Sequence, residues 1–166
     1  MISVMRPALY VAMLGGGTLV QNSVAPLVQI AGVPPDIPLI LTVLFAIRQG
    51  TERGCLTGFG LGLTQDLLGS GLVGVHALTK SMVGFFTGFF GSRFWIHLPL
   101  VQVPVLILMT IGEGLLRYAL LRLFHFPAPL EELLLYAVLP QALYNGLIGA
   151  VTVLALTWFD ARRGAH

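Results

Sequence analysis

An all-α, polytopic membrane protein with six transmembrane helices and both termini cytoplasmic is the fold class that this sequence predicts, on three observations. Of 166 residues, 56% are hydrophobic and only 10% are charged, against roughly 25% charged in a soluble domain. The mean hydropathy is +0.89, and the apolar residues fall in long runs over the whole length, more than one globular core can hide. The basic residues gather at the ends of alternate runs. The same arithmetic excludes other classes. A net charge of +2 offers no basic face for nucleic acid. The lone Cys55 rules out an internal disulfide and a multi-cysteine metal site. No soluble domain fits between the runs, so residues 1–166 read as one transmembrane domain.

The first span is expected over 7–28. It follows the basic flank Met1–Arg6, and no small-residue cleavage site occurs in Leu27–Asp36, so a retained span is expected rather than a signal peptide. The second and third are expected over 36–47 and 54–68. Crossing ~30 Å of hydrocarbon takes about 20 residues at 1.5 Å each. Both are therefore short, and thin the bilayer, borrow loop residues or are partly re-entrant. The fourth span is expected over 75–92 and the fifth over 98–121. Phe126-Pro127-Ala128-Pro129 stops the fifth, because proline lacks an amide donor and restricts the residue before it. For 130–138, where Glu131 and Glu132 suit a helix N-terminus, two readings stand. One is a short interfacial helix; the other is a single long helix kinked at Pro140. The sixth span is expected over 140–159.

Orientation follows from the cations. Arg6, Arg48, Arg53, Arg93, Arg162 and Arg163 all face the cytoplasm in a six-span chain with its N-terminus inside, whereas the outer loops 29–35 and 69–74 carry no basic residue. Trp95 and Trp158 fall at the cytoplasmic interface, where amphipathic rings prefer to lie.

Inside the spans, glycine and the ionisable residues carry the information. Gly54, Gly58 and Gly62 recur every four positions in the third span, and Gly84, Gly88 and Gly91 keep a helical spacing in the fourth. Small residues let backbones approach closely where no hydrophobic drive exists, so these two spans are expected to form a tight hairpin around Gly69-Ser70-Gly71. Charges at the bilayer centre cost at least ~2.5–3.5 kcal/mol on insertion scales and need partners. Asp66 ends the third span, and His76 and Lys80 share one face of the fourth at i, i+4. A polar lock of Asp66 with His76 and Lys80 is the expectation, a proton or ion site the functional alternative. Glu113 and Arg117 form an i, i+4 ion pair, and Arg122 snorkels outward. Gln21, Asn22, Gln141 and Asn145 add uncharged polar groups on the outer side.

No catalytic constellation is present. Ser70 sits in a loop without a helix-borne histidine partner, and His97, His125 and His166 are dispersed without ligand spacing. The sequence therefore predicts no enzyme, no cofactor and no metal.

The stretch from Gly58 through Gln65-Asp66-Leu67-Leu68, followed by Gly74-Val75-His76-Ala77-Leu78 and Val83-Gly84-Phe85, resembles the central signature of MreD, the rod shape-determining membrane protein family of bacteria. Leu19-Val20-Gln21-Asn22-Ser23 with Pro26, and Pro35-Asp36-Ile37-Pro38-Leu39-Ile40, are similar to that family's first two spans. Leu139-Pro140-Gln141-Ala142-Leu143-Tyr144-Asn145 is similar to the start of its last. The resemblance implies a non-enzymatic scaffold of the rod complex in the cytoplasmic membrane. It acts there with MreC, the actin-like MreB, the glycosyltransferase RodA and a class B penicillin-binding transpeptidase in lateral peptidoglycan synthesis. Tiny loops leave intramembrane faces for partners, so Gly15, Gly16 and Gly17 in the first span, or the Gly84, Gly88 and Gly91 row, are candidate contacts for MreC. The resemblance also implies a fold similar to the substrate-binding subunit of energy-coupling-factor vitamin transporters. Such a subunit is the alternative function, with Gln21, Asn22, Asp66, His76, Gln141 and Asn145 as its ligand-binding groups.

Overall fold

The computed structural model describes residues 7–29, 32–69, 71–93, 98–125 and 130–163, and every regular element among them is helical. Helix α1 is Pro7–Ser23, α2 Ile37–Gln49, α3 Thr51–Leu68, α4 Val75–Arg93 and α5 Pro99–Leu123. A short α6, Leu130–Leu133, runs through a π-helical turn, Leu134–Val138, into α7, Leu139–Arg163. Of the two readings kept for 130–138, the continuous one describes the chain. The π turn is the physical reason: the Leu139 amide donates to the Leu134 carbonyl, a five-residue step. It loosens the ladder just where Pro140 cannot donate.

Helix α2 is the pillar of the bundle. It packs against α1, α3, α4, α5 and α7, and Leu39, Val43 and Ala46 are fully buried. Most of its surface is buried, and Ile37, Leu41 and Phe45 form its half-exposed face, which accounts for its nearly unbroken apolar sequence. At 13 residues it is about 20 Å long. Asp36 caps its start by accepting from the Leu39 amide at 3.0 Å, and Pro38 occupies the first turn, where a missing donor costs nothing. Gly50 ends it with φ 85°, a left-handed conformation that glycine adopts freely, so α3 begins at the very next residue. Around this pillar, α3 pairs most extensively with α4, α5 pairs with α7, and α1 lies on α2 and α3. The apolar core joins Leu39, Ile40, Val43, Leu44 and Ile47 of α2 to Val83, Leu106 and Val153.

Burial is inverted relative to a soluble protein. Lys80 and Glu113 are fully buried, as are Thr42, Thr57, Thr79 and Asn145, whereas Leu100 is 89% exposed and Leu27 82%. Apolar side chains that clothe the surface of a bundle with charges at its centre match a hydrocarbon solvent. Two helical runs, Leu100–Leu123 and Leu130–Phe159, are long and apolar enough to cross a membrane.

Candidate functional site

The buried charges form two nodes. The first ties the α3–α4 hairpin. Asp66, at the end of α3, accepts from the Gly74, His76 and Ala77 amides at 2.9, 3.2 and 3.0 Å, and its Oδ1 lies 2.9 Å from His76 Nδ1. Those amides open α4, whose first turn has no acidic residue of its own. One carboxylate therefore supplies both the cap and the negative charge that the positive end of a helix dipole favours. The sequence Asp66…Gly74-Val75-His76 has a local physical meaning: the end of one helix closes the start of the next.

The second node crosses the bundle. Lys80 Nζ is 2.8 Å from Asp36 Oδ2 and 3.7 Å from Glu113 Oε1, and Thr79 Oγ1 donates to that same Glu113 oxygen at 3.0 Å. Arg117 Nη1 stands 4.0 Å from Glu113 Oε2, which is buried without a hydrogen-bond partner among the described residues. Two carboxylates and two cations balance, which is the condition for burying them at all. Polar side chains extend the node into the α1–α2 connection. The Asp36 amide donates to Asn145 Oδ1 at 2.9 Å, and Asn145 Nδ2 donates to Thr110 Oγ1 at 3.3 Å. The Ile37 amide donates to Gln21 Oε1 at 2.8 Å, Gln141 Nε2 to the Pro34 carbonyl at 3.2 Å, and the Tyr144 hydroxyl to the Val28 carbonyl. Side chains of α1, α4 and α7 thus converge on segment 34–37 at the start of α2, and α5 joins through Thr110 and Glu113.

This arrangement corrects the three-residue lock. Asp66 and His76 meet, but Lys80 does not join them. Asp66 is already saturated by three amides and an imidazole, and Lys80, one turn deeper, reaches across to Asp36. Sequence reasoning passed over Asp36 as a span boundary. The signal was present: an acid at the start of an apolar run, followed by Ile37-Pro38, is an N-cap pattern, and any such acid needs a cation. The Glu113–Arg117 pair is present only as the longest contact of the node, with Thr79 and Lys80 nearer to Glu113.

The glycines also divide. A methyl group on Gly58 or Gly62 would overlap the carbonyls of Lys80 and His76, and one on Gly54 would lie 2.6 Å from the Gly84 carbonyl. Gly84 faces Gly54 in return, Gly88 faces the Gly50–Thr51 peptide, and Gly91 approaches Ile47. The row Gly84, Gly88 and Gly91 is therefore spent inside the chain and is not an open partner face. Gly17 is packed against Leu41 and Leu61, whereas Gly15 and Gly16 meet nothing within 4 Å among the described residues. Arg6, Ser70, Trp95, His97 and His166 lie outside the described residues.

Among the described residues, no three His, Cys, Asp or Glu side chains are grouped as metal ligands. The charged node can fix the register of the helices that it joins. Of the groups named for a solute site, Gln21, Gln141 and Asn145 bind the backbone or side chains of their own chain, and Asp66 and His76 bind each other.

No curated protein and no solved structure matches the chain. The family model described as rod shape-determining protein MreD matches residues 4–160. That match spans all the described helices from α1 to the last turns of α7, including both nodes, and so this chain belongs to the MreD family of rod shape-determining proteins.

Proposed function

We propose that this chain is a non-enzymatic, multi-pass scaffold of the cytoplasmic membrane. It has six spans and both termini inside, and it binds MreC within the rod complex (the elongasome). In this role it supports lateral peptidoglycan synthesis alongside MreB, RodA and a class B penicillin-binding transpeptidase. The family match carries the cell-shape part of this reading. Inverted burial supports the membrane part, because its exposed leucines and buried charges suit lipid. The 13-residue α2 fits within it, since five other helices pack against it and cover most of its surface.

Elimination among the glycine rows favours α1 as the MreC contact. With the α3–α4 glycines covered, Gly15 and Gly16 on α1 are the small residues of the original candidates left open to a foreign helix. Gly16→Leu is expected to abolish copurification with MreC while the protein still accumulates in membranes. Retained binding would remove α1 as the contact. The reading as a whole is tested by affinity purification from native membranes in mild detergent, with mass spectrometry of proteins and small molecules. Recovery of MreC and cell-wall synthases without a stoichiometric metabolite is expected. Recovery of ABC-type ATPases with a bound vitamin-sized molecule would overturn it.

A further inference from the structure

Glu113 is satisfied on one side only. Its side chain is fully buried, and Oε1 accepts from the Thr79 hydroxyl at 3.0 Å, but Oε2 has no hydrogen-bond partner among the described residues. A buried polar atom without a hydrogen bond is costly, and more so when it carries charge. Gln65 Oε1 and Thr87 Oγ1 share that condition. Glu113 Oε2 differs in facing a cation, with Arg117 Nη1 4.0 Å away. The other oxygen is flanked in the same manner, since Lys80 Nζ lies 3.7 Å from Oε1. Both separations exceed the ~3.2 Å limit of an N–H···O hydrogen bond, so neither cation donates directly to Glu113.

Chemistry selects what can join Oε2 to Arg117. The link has to donate to a carboxylate oxygen, which only accepts, and accept from a guanidinium, which only donates. A fully ionised anion cannot donate. A metal or ammonium ion cannot accept, and it would add a third cation beside Lys80 and Arg117. A hydrocarbon does neither. Water does both. The distance fits as well: two hydrogen bonds of ~2.8 Å reach across 4.0 Å at about 90° at the oxygen between them. Folded proteins hold about one buried water per 27 residues, usually on polar atoms of this kind. The Arg117 side chain is 18% exposed and that of Glu113 0%, so the guanidinium lies between the buried carboxylate and the surface of the bundle.

We propose that a single buried water bridges Glu113 Oε2 to the Arg117 guanidinium. It gives the second carboxylate oxygen its donor and makes Arg117 part of the node without direct contact. Thr79 and Lys80 of α4 then hold one oxygen, and the water holds the other. The site is independent of the α1 contact and stands whether or not MreC binds there. A structure of the full chain in lipid, by crystallography or electron cryomicroscopy at a resolution that shows ordered water, tests it. One density peak is expected within hydrogen-bond reach of both Glu113 Oε2 and Arg117, and Arg117→Met should lose it. Arg117 found in direct hydrogen-bond contact with Oε2, or a wild-type map without a peak on Oε2, overturns the proposal. A peak that survives Arg117→Met unchanged overturns the bridge. If Arg117→Met does not fold, the wild-type map decides alone.

Discussion

The α3–α4 hairpin and the α5–α7 pair both bring helices together at glycine, but by different means. In the hairpin, glycines of each helix meet the other's backbone: Gly58 meets the Lys80 carbonyl, Gly62 that of His76, and Gly88 the Gly50–Thr51 peptide. In the α5–α7 pair, glycines receive side chains. Gly146 lies under Ile107 and Gly149 under Leu106, while Gly114 receives Val138 from the π turn. A carbonyl that is part of a helical ladder cannot move aside, whereas the end of an isoleucine rotates. The first pair is a rigid unit with one permitted spacing; the second is an adjustable contact that leaves a groove open beside it.

This contrast breaks most sharply if Gly58 or Gly62 is enlarged. Gly58→Leu is expected to abolish the folded protein altogether, read as loss of a monodisperse peak in detergent; a well-behaved variant would show that the hairpin backbones can separate. Next in size is Lys80→Met, which strands two buried carboxylates. Removing one partner of a buried ion pair costs ~3–5 kcal/mol, so a large drop in thermal midpoint is expected in detergent. The double variant Lys80→Met with Asp36→Asn should regain part of it, and no recovery would mean that Asp36 is not the lysine's main counter-charge. Asp66→Asn comes third, at about 1–3 kcal/mol for a buried acceptor whose donors are left poorly matched, with a shift measurable by denaturant titration. Gly146→Ala should be far milder than Gly58→Leu, at about 1–3 kcal/mol, since it overlaps only a side chain, that of Ile107, and no backbone. A loss as large as that of Gly58→Leu would erase the distinction between the two pairs.

Much of this was legible in residue order. Period-four glycines foretold the hairpin, and Asp66 with His76 foretold the polar tie at its turn, because both signals are local: spacing on one helix and proximity across one short turn. Long-range pairing was not. Lys80 and Asp36 are 44 residues apart, and nothing in either neighbourhood names the other. Charge balance among buried groups gave the rule, but with Asp36, Asp66 and Glu113 all available to Lys80, only the packing of α2 against α4 decides which acid it meets. The continuity of the last helix was legible only as one of two readings, since a proline reads as a break unless the turn before it is known to be π-helical.

The bond between the Asp36 amide and Asn145 spans 109 positions, and it sets a schedule for assembly. A ribosome adding about 5–20 residues per second makes Asn145 roughly 5–20 s after Asp36. During that interval Lys80 can already meet Asp36, but the amide that orients the acid still waits for its acceptor. The α1–α2 connection is therefore sealed by the last helix to be made. A chain stalled before α7 would carry an unfinished polar seam, with the Asp36 amide and the Pro34 carbonyl still lacking the partners that α7 brings.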